Sequence, residues 1–220
     1  VVATPLGNLS DITLRALDVI RSVDLLICED TRTTQKILNR YNFSVKTASY
    51  YAPRENQLAG RYIEKLKSGK TIALVSESGT PCISDPGYEI VKRAHEEGIR
   101  VSPIPGPSAL SAALSISGIK ADNVFFSGFI PRKKGKRKRF LDEHVGKEYT
   151  FVFFDSKYRI KETLNFIKEN NPKTLIFVGR ELTKKFEETI RGTAEEVCAT
   201  ISSVQKLKGE FVIVCSPLKK

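Results

Sequence analysis

The chain has 220 residues, enough for one large or two small domains, and its 40% hydrophobic and 28% charged content suits a globular protein rather than a disordered one. Lys and Arg number 36 against 25 Asp and Glu, a formal net charge of +11 that points to a polyanionic partner. No apolar run approaches the length of a membrane span and no signal peptide opens the chain, and the scattered cysteines favour a reducing cytoplasm as the expected location. The four cysteines, Cys28, Cys82, Cys198 and Cys215, form no C-x-x-C pair; they read as buried thiols, and no metal is expected. His95 and His144 sit far apart in charged stretches and read as surface residues. With no methionine present, Val1 is not expected to be a native initiator.

Strand and helix signals alternate from the start. Val1-Val2-Ala3 runs into the loop Thr4-Pro5-Leu6-Gly7-Asn8-Leu9, and Ser10 is a plausible N-cap for a helix through Ile12, Ala16, Val19 and Val23. Leu25 to Cys28 reads as a strand leading into Glu29-Asp30-Thr31-Arg32, with Asp30 a candidate cap for the helix that follows. Leu58, Tyr62 and Leu66 mark a helix that ends near Gly69. Thr71 to Val75 is a buried strand, then Ser76 to Gly87 is a long Gly/Pro/Ser loop before a helix from Tyr88 to Glu97. Small residues there let a ligand approach the backbone, and the prolines stiffen it. Arg100 to Ile104 is a fourth strand, leading into Pro105-Gly106-Pro107-Ser108-Ala109 and a small-residue helix to Ile116, capped by Ser108. Val124 to Phe126 opens the last strand of this half. Four strands that end in such loops would bring them together at one crevice of an open α/β sheet.

The stretch Arg132 to Arg139 is almost entirely cationic and separates two halves, predicting domains at 1–131 and 150–220 with a basic linker or helix at 132–149. Cations opening a helix oppose its macrodipole, so local stability does not explain the run. The second half predicts a strand at Thr150–Phe154, a helix at Arg159–Glu169, a strand at Thr174–Val178, a capping box at Thr193 to Glu196 before a helix to about Val204, and a strand at Glu210–Cys215. Hairpin-length links predict a mixed sheet. Neither G-x-G-x-x-G nor G-x-x-x-x-G-K-[ST] is present, which disfavours dinucleotide and P-loop readings.

Taken together, Ala3–Leu9 with Asp11–Leu17, Glu29–Arg32, Gly79-Thr80-Pro81, Ile83–Gly87, Pro105–Ala109, Gly128–Lys133, Gly179–Lys184 and Arg191-Gly192-Thr193 resemble the ribosomal RNA small-subunit methyltransferase I family of the tetrapyrrole-methylase superfamily. The resemblance spans nearly the whole chain. It implies two unlike α/β domains with the cofactor in the cleft between them. The implied activity is S-adenosylmethionine-dependent methylation of a cytidine ribose 2′-hydroxyl in small-subunit ribosomal RNA. A homodimer is implied, with small-subunit ribosomal RNA or the assembled small subunit as the substrate partner. A sulfonium methyl is already activated, so aligning oxygen, methyl and sulfur can carry much of the rate, with a base to take the hydroxyl proton.

By the same resemblance, Ser78, Gly79, Thr80, Pro81, Ile83 and Ser84 cradle the cofactor, Pro107, Ser108 and Ala109 lie against it, and Pro5 walls the site. Phe154 and Asp155 face it from the second domain, and Leu182 and Thr183 close over its adenine. Asp30, Arg32 and Glu181 are the candidate catalytic residues, Asp30 first for the proton, with Asp85 a further carboxylate at a strand end. Arg132, Lys133, Lys134, Lys136, Arg137, Lys138 and Arg139 are the candidate RNA contacts. Two stretches depart from the family pattern: Ser49–Asn56 lacks a usual histidine, and Asp155-Ser156-Lys157-Tyr158-Arg159 replaces a Glu-Ser-Pro-His-Arg-like motif. Glu77 and Ser78 stand where Asp and Ala are usual. The competing readings are a methylase of a tetrapyrrole or a protein side chain, and a ribosome-associated RNA-binding module without catalysis.

Overall fold

A computed structural model describes residues 1–218. The chain forms two compact units, Val1–Ser108 and a second that begins at Ala109. In the first unit the elements run α1 (Leu14–Ser22), β1 (Leu25–Cys28), α2 (Thr31–Arg40), β2 (Thr47–Ser49), α3 (Glu55–Lys67), β3 (Ile72–Val75) and α4 (Tyr88–Glu96). The strands pair in parallel in the order β2-β1-β3. Beyond β3 the Val2 amide donates to Leu74 O, and Val2 bridges Ile104 in parallel, so both outer segments extend the sheet. Every residue of β1 is buried. Leu26 and Cys28 pack with Ile20, Ile37 and Leu38, whereas Leu25 and Ile27 pack with Tyr62, Ile63 and Ile90. Burial on both faces is why β1 reads as an unbroken apolar run.

Helix starts depend on which side chain reaches the free amides. The first helix begins at Leu14, later than Ser10 predicts, because the Thr13 hydroxyl accepts from Ala16 N while Ser10 lies in a short 3-10 turn. Asp30 does cap α2, accepting from the Arg32 amide at 2.8 Å. No side chain of its own caps α4; instead Glu55 Oε1, from the start of α3, accepts from Gly87 N at 2.8 Å and Glu89 N at 3.1 Å.

The second unit contains α5 (Ala109–Ser117), β4 (Val124–Phe129), α6 (Lys134–His144), β5 (Thr150–Ser156), α7 (Ile160–Asn170), β6 (Leu175–Arg180), β7 (Glu188–Thr193), α8 (Ala194–Ser203) and β8 (Glu210–Cys215). Its sheet has the order β4-β5-β8-β6-β7, with β4 and β5 parallel and the other pairs antiparallel. Along β5, Phe151 and Phe153 pack with α6, α7 and α8, while Val152 and Phe154 face the side where α5 packs. The capping box predicted at α8 is present: Thr193 Oγ1 accepts from Glu196 N, and Glu196 accepts from Thr193 N.

The break between units therefore falls at Ser108 rather than at residue 131. Val124–Phe129 is not the last strand of the first unit, because it pairs with β5. Parallel neighbours need a crossover, and α6 supplies it, so the basic run opens a helix inside the second unit and is not an interdomain linker. His144 is no free surface residue either: its ring stacks on Phe125 at 4.5 Å and its Nδ1 meets Tyr149 OH at 2.8 Å. No helix among the described residues is long and apolar enough to cross a membrane.

Candidate active site

Three loops of the first unit are joined at the carboxyl ends of its strands. Thr4 and Gly79 exchange backbone hydrogen bonds of 2.8 and 3.1 Å, and the Thr4 hydroxyl donates to Ser76 O. Ser78 Oγ donates to Leu6 O at 3.1 Å and Thr80 Oγ1 to Pro107 O at 3.0 Å. The loops after Ala3, Val75 and Ile104 thus form one continuous wall, as strand-end convergence requires. Gly79 sits at its centre with φ +79°, and a Cβ there would lie 3.1 Å from Leu6 Cδ2 and 3.7 Å from Pro107 O. Pro5 and Pro81 are buried in this wall, Pro107 and Ser108 are half-buried, and Ile83 and Ser84 are exposed at its rim. A cavity of about 520 Å³ lies elsewhere, among Lys70, Thr71, Ile72 and Ser102 where β3 begins, and includes none of these loop residues.

The loop after β1 adds charge to the same edge. Asp30 is gripped by Arg32, whose Nη2 lies 2.7 Å from Oδ2, and by the Arg32 amide. These bonds hold the Asp30 carboxyl down at about 2, and the same side-chain bond raises Arg32. So placed, Asp30 is a helix cap with little basicity. Its neighbour Glu29, which the sequence did not single out, behaves oppositely: burial, then the charges of Glu77, Asp85 and Asp30, push its carboxyl up. Those interactions also bring the β1 loop within electrostatic reach of the Ser76–Gly87 loop. The signal for Glu29 was present in its position, one residue beyond a fully buried strand.

In the second unit the predicted residues separate into different roles. Phe154 is half-buried, edge-on to Phe126 and Phe129 at ring distances of 5.1 and 5.6 Å. Asp155 points the other way and is 1% exposed; it accepts from Thr163 Oγ1 at 2.6 Å and Ser156 N at 2.8 Å and pairs with Arg159 at 2.9 Å. Its carboxylate is consumed in fixing the start of α7, so Asp155 is corrected from ligand contact to scaffold. Glu181, with φ +50°, accepts from Glu210 N and pairs with Lys184 at 2.9 Å. Burial opposes its ionisation, but Lys184 and the Glu210 amide outweigh burial and leave the carboxyl below its usual range. It anchors the β6–β7 connection to β8, which is a poor arrangement for a base. Leu182 is buried against the α5 side of the sheet. Thr183 has φ +66°, and its hydroxyl is buried without a protein partner.

The basic run is not uniform. Arg132, Lys133, Lys134, Lys136, Lys138 and Arg139 are exposed. Arg137 is 2% exposed and bonded to Glu162 and to Arg132 O, so it is removed from the candidate RNA surface. Helical periodicity turns that one cation inward.

The family model described as "Tetrapyrrole (Corrin/Porphyrin) Methylases" matches residues 1–198. The chain belongs to the tetrapyrrole methylase family. Among its relatives, "Ribosomal RNA small subunit methyltransferase I" of Bacillus subtilis is 44% identical over 213 residues, 97% of this chain and 73% of that protein. The protein of the same name from Mesorhizobium japonicum is 42% identical over 217 residues, 98% and 74% of the two chains. The one from Leptospira biflexa is 39% identical, covering 100% of this chain and 91% of that protein. The chain thus groups with the ribosomal RNA small subunit methyltransferase I members of the tetrapyrrole methylases. Among solved structures, a cobalamin biosynthetic enzyme, cobalt precorrin-4 methyltransferase, superposes with a TM-score of 0.69 at 16% identity, covering 98% of this chain and 93% of that one. That likeness establishes the tetrapyrrole-methylase fold.

The protein is accordingly a methyltransferase, and its methyl donor is S-adenosylmethionine. The residues present fit that cofactor. In the first unit Gly79, at φ +79°, leaves no room for a Cβ beside Leu6, and in the second unit the Thr183 hydroxyl is a buried polar group without a protein partner.

Proposed function

We propose that this methylase transfers the methyl group of S-adenosylmethionine to the 2′-hydroxyl of a cytidine ribose in small-subunit ribosomal RNA. The observation that carries the reading is the Thr4–Gly79–Pro107 wall, assembled from the loops the family resemblance assigns to the cofactor, in a chain 44% identical to a protein named for its action on small-subunit ribosomal RNA. The +11 charge and the exposed cations from Arg132 to Arg139 favour an RNA acceptor over a tetrapyrrole. When bound, S-adenosylmethionine supplies an activated methyl on a sulfonium sulfur.

The chain's own groups then have defined tasks. Ser78, Gly79, Thr80 and Pro81, with Pro5 and the Pro107–Ser108 turn, bind the methionine part through backbone. Ile83 and Ser84 form the rim of that binding loop. In the second unit, the family resemblance assigns Leu182 and Thr183 to the adenine and Ala109 and Phe154 to apolar contact with the cofactor. Glu29 takes the ribose hydroxyl proton: it directly follows β1 at the edge where these loops converge, and its raised pKa makes it a better base than Asp30. Asp30 holds Arg32, whose side chain is 89% exposed and free on its outer side to meet a phosphate.

The test is methylation of unmodified small ribosomal subunits with labelled S-adenosylmethionine, followed by digestion to nucleosides. Label in 2′-O-methylcytidine is expected. Label in a methylated base or a different nucleoside overturns the ribose assignment. Label in protein or a tetrapyrrole, and none in RNA, moves the acceptor to the competing class.

A further inference from the structure

The sheet order of the second unit places three loops side by side. β4 and β5 are parallel and β8 runs against β5, with Phe129 opposite Phe154 and Ser156 opposite Glu210. The end of β4, the end of β5 and the start of β8 therefore share one edge. Of the connections there, 130–133, 157–159 and 204–209 contain Arg132, Lys133, Lys157, Arg159, Lys206 and Lys208 and no carboxylate, while the β6–β7 connection, 181–187, reaches the same edge and adds Glu181 and Glu187 beside Lys184 and Lys185. The first three are tied together from beneath: Arg159 Nη1 donates to Ile130 O at 3.3 Å, and Lys161 Nζ to Ser202 O and Val204 O at 3.1 and 2.7 Å. The acids nearest these loops are engaged, Glu162 with Lys134 and Arg137, Asp155 with Arg159, and Glu181 and Glu210 with Lys184.

Two aromatic rings stand out on this edge. Tyr158 is 84% exposed, with the Lys157 ammonium 4.9 Å from its ring centroid, and Phe129 is 58% exposed at the end of β4. Aromatic rings held in water at this level, interleaved with exposed cations, match a ligand that offers both π-faces and phosphates; among the cations of the first three connections, Arg159 alone is ion-paired in the described residues, with Asp155. A duplex hides its bases in the stack, whereas a single strand presents them.

We propose that this edge binds a single-stranded segment of RNA, with Tyr158 as a base-stacking platform and Lys157, Lys206 and Lys208 as phosphate contacts beyond the basic run. The inference rests on the RNA reading above and adds the form of RNA and a second set of contacts. Arg159 and Lys161 act as positioning residues that hold the three loops at one level.

The test is binding of a labelled oligouridylate, and of a duplex of equal length, to the intact chain across a salt series. Tyr158→Ala is expected to weaken oligouridylate binding about 5-fold or more, and Tyr158→Phe to leave it near wild type, because stacking needs the ring and not the hydroxyl. Lys157→Gln/Lys206→Gln/Lys208→Gln is expected to lower the salt slope by about 2, at roughly 0.7 per phosphate contact on single strands. All these variants change exposed side chains, and a retained melting temperature checks that they fold. If Tyr158→Ala and the triple variant bind like wild type while neutralising Lys133, Lys134, Lys136 and Lys138 still weakens binding, the edge proposal falls and the RNA reading stands. If the duplex competes as well as the single strand, the single-strand assignment falls. If the wild-type chain binds neither RNA, both readings fall together.

Discussion

At Gly87 the backbone has φ +139°, and a Cβ would come within 2.4 Å of Cys82 Sγ and 2.7 Å of Leu74 Cδ2. Both the conformation and the space demand glycine, so Gly87→Ala is expected to destabilise by on the order of 2–4 kcal/mol in urea unfolding. An unchanged midpoint would mean the loop yields without cost. Glu29 and Asp30 make opposite predictions. A base must be ionised, so the rate should rise with pH through the raised Glu29 pKa, and Glu29→Gln should lower kcat about 100-fold with cofactor affinity kept. A variant that keeps its rate would remove Glu29 from proton transfer. Asp30 titrates at about 2 in the fold, below the roughly 3.9 of an unfolded aspartate. It contributes stability that is present above the unfolded value and lost as pH falls through the folded one. Asp30→Asn should therefore melt below wild type at pH 7, and the two melting curves should merge near pH 2. These roles were only half legible. Asp30 is readable as a cap because Thr31 to Arg40 follows it, but the Arg32 grip that removes its basicity depends on side-chain geometry. Glu181 and Asp155 resemble site residues by position, yet their partners Glu210 and Thr163 are fixed by strand pairing and helix phase, which spacing alone does not specify.

Among the elements, α4 depends on a carboxylate from another helix. Glu55→Ala would strip acceptors from Gly87 N and Glu89 N, costing about 1–2 kcal/mol by analogy with a lost N-cap and speeding hydrogen exchange at those amides. Unchanged protection there would show that α4 starts without help. In α7, Glu162→Ala would leave the buried Arg137 guanidinium of α6 without its carboxylate. The loss should be about 2–3 kcal/mol, less than for a fully buried pair because Glu162 is open to solvent. The buried strands β1 and β5 and the Thr193 capping box were plain in the sequence, since continuous apolar runs and a Thr-x-x-Glu pattern are local signals. The membership of β4 was not, because a parallel partner lies a crossover away and adjacency in sequence favours the wrong unit. Arg137 shows the same limit, since one cation of a uniform run turns inward by helix phase.

For the molecule as a whole, charge and ligand site make separable claims. The +11 net charge predicts that RNA affinity falls steeply with salt, and neutralising Lys133, Lys134, Lys136 and Lys138 should flatten that dependence; an unaltered slope would make the run a solvated surface. The family itself was legible because eight short segments recur in order along the chain, whereas the wall they build becomes visible only once Thr4, Gly79 and Pro107 are joined by hydrogen bonds. That wall is the centre of the account. The most direct measurement is calorimetric S-adenosylmethionine binding to the wild-type chain and to Gly79→Val, with folding of the variant checked by its melting transition. The account predicts binding by the wild type and at least about 10-fold weaker binding by the folded variant, since a branched side chain at φ +79° would crowd Leu6 and Pro107. Equal affinity in the two proteins would contradict it and place the cofactor away from these loops.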